Sequence, residues 1–315
     1  MHYQGMIPGR PFPVNRPLTE QDRKYHLRQG EQLEGVTPYP DLIVIKLNST
    51  YLEVVDKYYG WRGWAAFMFT VGGVIPLVAS LAFIIAAIGK LNAGDSIGFY
   101  FGLFFASVFG LVSTVAWFLG RFEWAYYTHY PIRLNRKTQT VHVFRKNGSV
   151  LSVPWKELFF TLDHDARFWE IRGHVLGNDG ETVKETFALG SINTLMNPDT
   201  LKVLRAHWEF FRRYMEEGTE AVAPYVKQAL PVDGKRESFH VGYEVLASHF
   251  RHGSAIGAVI GMIGSPIIAV SSLGRWVAMR LSKVPQWPSE IEAVNMVDPD
   301  DPVRIDARIN PPELR

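Results

Sequence analysis

Two short groups of residues in this sequence combine side chains that can bind metal ions or transfer protons. Asp163, His164 and Asp165 place an imidazole between two carboxylates, and His249 and His252 have a spacing that puts both rings on one helix face. The first group falls where a turn between strands is expected, and Asp favours turns. The second has no third ligand nearby. We therefore expect a solvated turn and a helix start rather than metal sites.

Sequence motifs of common catalytic and cofactor sites are absent or out of context. The chain contains no GxxxxGK[ST] loop, no strand-linked GxGxxG and no HExxH. Gly94-Asp95-Ser96-Ile97-Gly98 matches GxSxG, but it follows an uncharged segment of helical length instead of the strand that a nucleophile elbow requires. It has no cysteine, which excludes disulfides, thiolate metal sites and a cysteine nucleophile. Its net charge of +2 does not suggest a nucleic-acid surface. We expect no catalytic, cofactor-binding or metal-binding residues and no nucleic-acid partner.

Two long uncharged stretches, residues 64–89 and 96–120, are separated by only six residues. About 20 apolar residues are needed to cross the hydrocarbon core of a bilayer as a helix. Backbone groups in lipid must be satisfied within the segment, which favours helices. The sequence therefore predicts a transmembrane hairpin, with a buried hairpin in a soluble core as the alternative.

Aromatic and basic residues flank this hairpin, as is typical of a membrane–water interface. The interface candidates are Trp61, Arg62, Trp64, Arg121, Trp124, Tyr126 and Tyr127. Lys and Arg are frequent before the first stretch and after the second, whereas the connecting loop contains only Lys90. The positive-inside rule then predicts a multi-pass protein with both termini cytoplasmic.

Small residues recur every four positions along the second stretch, at Gly98, Gly102, Ala106 and Gly110. Such a ridge lets another helix approach closely, so these four residues are candidates for helix packing. Neither stretch contains a charge, which argues against an ion path. A pore built by a homo-oligomer stays an alternative.

Residues 125–218 have the pattern of a β-rich domain. Five short strands are predicted, at 132–135, 140–145, 149–153, 167–172 and 182–189. Asn147-Gly148 has the chemistry of a tight hairpin turn, and an amphipathic helix follows Asn197-Pro198-Asp199. A meander closed by one helix is the element order of pleckstrin-homology-like domains. The predicted fold class is an α+β membrane protein with a transmembrane hairpin and a cytosolic domain of this type.

The remaining segments differ in composition. Residues 1–40 are predicted to be extended and Pro-rich, 41–62 to form short strands that pack on the cytosolic domain, 219–252 to be a linker or helical region, and 275–315 to be an amphipathic segment with a Pro-rich acidic tail. Residues 253–274 are uncharged and Gly-rich. A span there would place Arg275 outside, so we expect a re-entrant, interfacial or docked segment, with a flexible linker as the alternative.

A basic cluster follows the hairpin. Arg133, Arg136 and Lys137 are candidates for contact with lipid headgroups. The ordinary excess of positive charge on the cytoplasmic side is the competing explanation.

Three further groups carry a family resemblance: residues 131–137, Val153-Pro154-Trp155, and residues 282–291 with the sequence SKVPQWPSEI. Together with the hairpin, they resemble a family of uncharacterised proteobacterial inner-membrane proteins, often encoded beside type VI secretion effectors. The resemblance implies a location in the bacterial inner membrane and an immunity or accessory role. It carries no catalytic residues.

Three functions stay open. The first is a non-enzymatic interaction protein that binds a protein partner on the cytosolic side, with a secreted effector as the candidate. The second is a lipid-sensing or membrane-organising module, and the third is a membrane enzyme of unrecognised type. The expected partners are thus the lipid bilayer, a cytosolic protein, and a second copy of the chain if it forms a homo-oligomer.

Overall fold

The strands of this mixed α+β chain pair antiparallel throughout the described residues. The computed structural model describes residues 3–4, 10–124, 126–164, 168–194, 199–251 and 255–315. The strands are β1 (Tyr3–Gln4), β2 (Arg10–Pro11), β3 (Arg16–Pro17), β4 (His26–Leu27), β5 (Val44–Asn48), β6 (Tyr51–Val54), β7 (Ile132–Asn135), β8 (Thr140–Phe144), β9 (Val150–Pro154), β10 (Leu158–His164), β11 (Phe168–Leu176), β12 (Thr182–Thr194) and β13 (Arg304–Ile305). The helices are α1 (Glu20–Lys24), α2 (Trp64–Asn92), α3 (Ser96–Trp124), α4 (Thr200–Glu216), α5 (Phe239–Arg251), α6 (Ala255–Leu281) and α7 (Ser289–Val294).

The chain divides into two units, each assembled from separate parts of the sequence. The β-rich unit comprises Met1–Gly60, Tyr127–Val241 and Val284–Arg315. The helical unit comprises Trp61–Tyr126 and Gly242–Lys283. The helical unit is therefore made of two insertions into the sequence of the β-rich unit.

A six-stranded sheet in the β-rich unit has the order β13-β5-β6-β7-β8-β9. β6 and β7 pair directly, from Tyr51 opposite Asn135 to Val54 opposite Ile132, although α2 and α3 lie between them in the sequence. The predicted hairpin turn between β8 and β9 is confirmed, since Gly148 has a positive φ of 86° and its N–H donates to the Arg145 carbonyl.

The second sheet has five strands in the order β3-β12-β11-β10-β4. The predicted meander lacks β10, because the run from Leu158 to Leu162 has no clear polar alternation to mark a strand. β11 and β12 are both longer than predicted. Their central residues pair from Ile171 opposite Leu189 to Val175 opposite Glu185.

One face of this sheet is apolar and packs on α4. Trp155 and Trp208 stack with ring centroids 5.5 Å apart, and Phe160 lies against both rings. A Cβ on Gly173 would lie 2.6 Å from the Phe187 ring, so only glycine lets that ring approach β11 so closely. The predicted amphipathic helix is confirmed as α4, but Asn197 and Pro198 lie outside the described residues.

The helical unit contains an antiparallel hairpin formed by α2 and α3. Ser80 Oγ donates to the Ala106 carbonyl at 2.7 Å, and Ser113 Oγ donates to the Gly73 carbonyl at 2.8 Å. Two segments, Ala66–Asn92 with 27 residues and Ser96–Gly120 with 25, are long and apolar enough to cross a membrane. α6 is one continuous helix over residues 255–281, so a flexible glycine-rich linker is wrong for the described part of that segment.

The N-terminal and C-terminal segments are more ordered than their composition suggests. The sequence did not predict α1, β3 or β4 within residues 1–40, nor β13 within the acidic tail. β13 pairs with β5, and Ser49 Oγ donates to Asp301 at 2.7 Å. The acidic residues of the tail thus serve in part as hydrogen-bond acceptors for loops of the β-rich unit.

Candidate functional site

The face of the five-stranded sheet opposite α4 is charged. Along β11, Glu170, Arg172 and His174 alternate with Ile171 and Gly173, so the charged residues share one side of the sheet. The residues directly opposite them on β10 are Asp163, Thr161 and Phe159. We call the set Lys57, Thr161, Asp163, Glu170, Arg172, His174 and Thr186 the charged face.

Ion pairs link most charges on this face. Arg172 Nε donates to Glu170 Oε1 at 2.7 Å, and Arg172 also pairs with Asp163. Lys57, which follows β6, pairs with the other oxygen of Glu170. Arg172 is only 2% exposed and Lys57 is equally buried. A buried charge is tolerated only when paired, and here two cations and two carboxylates compensate one another.

The charged face is buried because residues 10–27, which we call the strap, lie over it. β3 extends the sheet beside β12, with Arg16 opposite Val183, and β4 extends it beside β10, with His26 opposite Thr161. β12 and β10 are the two neighbours of β11. The strap therefore crosses from one edge of the meander to the other, with α1 between its two short strands.

An aromatic ring of the strap contacts two cations of the charged face. The Phe12 centroid lies 4.8 Å from Lys57 Nζ and 4.8 Å from the Arg172 guanidinium. Gln21 Nε2 donates to Asp163 at 2.8 Å, and Thr161 Oγ1 donates to the Asp22 carbonyl at 3.0 Å.

Asp22 is the buried carboxylate of the strap. It accepts from Arg16 Nη1 at 2.6 Å and from the Thr19 N–H at 2.8 Å, and the Thr19 side chain accepts in turn from the Asp22 N–H. His174 Nε2 lies 3.5 Å from the carboxylate. Burial alone would raise the pKa of Asp22, but the nearby His174 and the hydrogen bonds with Arg16 and Thr19 outweigh burial and hold this pKa well below its usual range.

The ionisable groups of the charged face are engaged with one another. Its carboxylates are engaged by Lys57 and Arg172, so neither Glu170 nor Asp163 stands as a free general base. Within the described residues, no three His, Asp or Glu side chains lie close enough together to hold a metal ion. Arg172 Nη2 is buried and has no hydrogen-bond partner in the described part of the chain.

Of the five residues first considered for metal binding, Asp163, His164 and His249 lie among the described residues. Asp163 belongs to the charged face, and the His164 ring packs on Trp169 with centroids 4.7 Å apart. Asp165 and His252 lie outside the described residues, and His249 belongs to α5.

Arg133, a predicted headgroup contact, is a buried clamp in the β-rich unit. Its Nε donates to Glu53 at 2.8 Å and its Nη2 donates to Glu292 at 2.9 Å. The Tyr51 and Trp287 ring centroids lie 4.6 and 4.8 Å from the guanidinium. The guanidinium of Arg133 is thus buried and paired within the β-rich unit, and its predicted contact with headgroups stays a prediction.

The other two members of the basic cluster differ in accessibility. Arg136 is half-buried beside Gly218, and its Nε has no hydrogen-bond partner among the described residues. Lys137 is exposed.

Three interface candidates have contacts in the structure. The Arg62 carbonyl accepts from Arg275 Nη1 at 2.8 Å, and the Tyr126 carbonyl accepts from the Lys283 N–H at 2.8 Å, both within the helical unit. In the β-rich unit, the Tyr127 ring packs on Phe144 with centroids 5.1 Å apart. The other candidates are placed by their backbone only, with Trp61 in a 3-10 turn, Trp64 starting α2, and Arg121 and Trp124 in the last turns of α3.

Three of the four helix-packing candidates lie against α2. A Cβ on Gly102 would be 2.8 Å from the Ala87 Cβ, and a Cβ on Gly110 would be 3.4 Å from Ser80 Oγ. Ala106 is buried and accepts the Ser80 hydrogen bond described above. Gly98 instead faces Asp95 and Lys90 near the connecting loop.

Comparison with known proteins places the chain in one family. The profile of a family of unknown function (DUF6708) matches residues 109–299, which is more than half of the chain. The chain therefore belongs to this family. No curated protein and no solved structure matches it.

Proposed function

We propose that this member of the DUF6708 family is a non-enzymatic membrane protein whose β-rich unit binds a protein partner. The observation that carries the proposal is the pair of insertions that form the helical unit. Among the described residues, charged and ion-paired side chains are concentrated in the β-rich unit, whereas the long helices present apolar side chains outward.

The outward surface of α2 and α3 supports membrane insertion. Ile85 is 72% exposed, Ile97 is 84% exposed, and Phe101, Phe104 and Leu111 are more than half exposed. Soluble proteins rarely leave such a large apolar surface uncovered. A bilayer can cover this surface without leaving backbone N–H and C=O groups unsatisfied, because both segments are helical.

The proposed orientation places both termini in the cytoplasm of a bacterial cell, with the hairpin in the inner membrane. The short connection between α2 and α3 leaves no room for a folded domain on the far side. Recognition then falls to the β-rich unit, whose meander followed by a helix supports a pleckstrin-homology-like arrangement. A homo-oligomer is compatible with this topology.

An immunity or accessory role toward a type VI secretion effector is the specific form of this proposal. It is supported by the family resemblance and by the cytosolic placement proposed for the β-rich unit. An effector acting in the cytosol or on the membrane fits this topology better than a cell-wall hydrolase does, since direct binding requires a shared compartment.

The lipid-sensing alternative is weakened by the position of Arg133. Of the three basic candidates, Lys137 alone is exposed. A single exposed lysine contributes only about 1 kcal/mol to attraction toward an anionic surface. A protein partner is therefore the better proposal.

Membrane insertion and topology are tested with reporter fusions and extraction. Fusions after residues 93 and 315 should report opposite sides of the membrane, and the chain should stay in the membrane pellet after alkaline carbonate washing. Release by carbonate, or the same side for both fusions, would exclude the proposed topology.

Partner binding is tested in cells that carry the gene beside a candidate effector. Deleting the gene should sensitise the cells to that effector, and cross-linking should capture the effector on the β-rich unit. Full resistance of the deletion strain would exclude the immunity role.

A further inference from the structure

We propose that the charged face is a peptide-binding surface that the chain's own strap occupies. In this view, residues 10–27 keep the charged face closed and yield it to an extended partner segment that carries an aromatic side chain and a carboxylate. The inference rests on the proposed function, because it assigns the surface and the chemistry by which the β-rich unit binds its partner.

The charged face has the residue composition of a solvent-exposed surface. Antiparallel sheets commonly pack one face on the core and leave the other in solvent, with apolar and polar residues alternating along each strand. β11 shows this alternation at Glu170, Ile171 and Arg172, yet its polar side is buried under the strap. Opening the strap would thus expose mainly charged and hydroxyl groups.

The ion pairs of the charged face do not depend on the strap. Lys57, Glu170, Arg172 and Asp163 pair with one another, and none of these four belongs to residues 10–27. When the strap leaves, the pairs stay together and gain contact with water. The face is therefore preformed for another occupant.

The strap pairs with the sheet over two residues at each of β3 and β4 and is held elsewhere by single hydrogen bonds and side-chain contacts. β3 and β4 are two-residue strands, and the side-chain bonds to the face include Gln21 with Asp163 and Thr161 with the Asp22 carbonyl. Phe12, Leu18 and Leu27 are its buried apolar side chains. A segment whose strands pair over only two residues opens locally at lower free energy than the long strands beneath it.

The contacts of the strap define the chemistry of the incoming segment. An aromatic ring would take the place of Phe12 against Lys57 and Arg172, and a carboxylate would take the place of Asp22 beside His174. The backbone of the segment would add to the edges of β10 or β12, where β4 and β3 now pair.

Hydrogen exchange of the full chain in detergent tests local opening. The Asn15 and Leu18 amides, which donate to Val183 and Glu181, should exchange at least tenfold faster than amides that pair β10 with β11. Equal rates at both places would mean that the strap opens only with the whole sheet, and would overturn the proposal.

Peptide exchange tests occupancy. The probe is a fluorescent peptide with the sequence of residues 10–27, and the control is the same peptide with Phe12→Ala and Asp22→Asn. The full chain should bind the probe at least tenfold more tightly than the control. Equal binding of the two peptides would overturn the proposal, and so would a stable strap-exchanged dimer, since a second copy would then be the occupant.

An engineered disulfide that fixes the strap to β12 provides a matched variant for the peptide-binding experiment. Pro17 and Thr182 are register neighbours in antiparallel strands, whose Cα spacing of about 4.5–5.5 Å suits a disulfide. Since the chain has no cysteine, Pro17→Cys with Thr182→Cys forms one defined bridge. Oxidation should lower probe binding at least tenfold, and reduction should restore it. Probe binding that is the same before and after oxidation would overturn the proposal.

These measurements use purified protein and are independent of the membrane and partner tests. Probe binding with failed membrane insertion would remove the proposed function and leave the strap inference intact. Membrane insertion and partner capture without probe binding would remove the strap inference alone.

Discussion

Arg133 provides the sharpest test of a single side chain in the β-rich unit. Arg133→Ala would leave Glu53 buried without its cation and remove the stacking partner of Tyr51 and Trp287. Breaking a buried pair from one side costs about 3–5 kcal/mol. We expect a loss of this size in the free energy of unfolding, measured by denaturant titration in detergent.

Lys137→Ala is the matched control for Arg133→Ala, because Lys137 lies on the same stretch of chain and is exposed. It should change the unfolding free energy by no more than about 0.5 kcal/mol. Similar effects of the two substitutions would contradict the clamp described for Arg133.

Asp22 makes the folded structure of the strap sensitive to acid. Its pKa in the folded chain lies below the ordinary value of 3.8, so its stabilising contribution is fully present above that pH. The contribution declines as pH falls below 3.8, because the unfolded state then binds protons that the folded state excludes. We expect Asp22→Asn to destabilise the chain at pH 7 by about 1–3 kcal/mol. The difference from wild type should shrink below pH 3.8 in urea titrations.

Asp300→Asn serves as the control for this pH series, since Asp300 is exposed. Its unfolding free energy should follow that of wild type at each pH. A constant effect of Asp22→Asn across the series would show that the Asp22 contacts do not depend on its charge.

The contact between α2 and α3 is tested by two glycines with opposite surroundings. Gly102→Ala places a Cβ 2.8 Å from the Ala87 Cβ, whereas a Cβ on Gly89 meets nothing within 4 Å. Overpacking costs about 1–3 kcal/mol, while an open helical position gains from alanine. We expect Gly102→Ala to lower the thermal midpoint of the detergent-solubilised chain and Gly89→Ala to leave it unchanged or raise it. The reverse order would contradict the packing of the hairpin.

Elements with a long repeating pattern are predictable from this sequence, and short ones are not. α2, α3 and α4 follow from uncharged length or from apolar spacing over several turns. β3, β4 and β13 have two residues each, so no period exists to detect. Their positions depend on pairing with β12, β10 and β5, which lie far away in the sequence.

The candidate site was only partly visible in the sequence. Glu170, Arg172 and His174 alternate with apolar residues, which predicts a two-sided strand but suggests solvent on the polar side. The burial of that side depends on Phe12 and Asp22, which no local pattern connects to β11. No local sequence pattern indicates that Lys57 belongs to the site, because its partner Glu170 lies more than a hundred residues later.

The division of the whole chain into two units predicts that the β-rich unit can exist without the helices. The pairings of β3 to β13 all lie within that unit. Replacing residues 61–126 and 242–283 by Gly/Ser linkers removes the helical unit and its exposed apolar surface. We expect the product to stay in the supernatant without detergent and to keep a strand-rich circular dichroism spectrum.

A chain that loses only residues 242–283 is the control, and it should remain in the membrane pellet because α2 and α3 are intact. Aggregation of the doubly replaced chain would contradict the independence of the β-rich unit.

The pairing of β6 with β7 also sets an order of events during synthesis. β6 leaves the ribosome before α2 and α3, and its neighbour β7 leaves after them, so the six-stranded sheet cannot close until both helices exist. Joining distant strands carries an entropic cost that rises with the length of the chain between them. An antiparallel hairpin brings its two ends close together, so β7 begins near β6. The conformational search that pairs the two strands is therefore shorter. On the proposed membrane topology, insertion of the helices would be a step in folding the sheet. A delay in insertion would leave open the edge of β6 that pairs with β7, and an open strand edge is prone to aggregation.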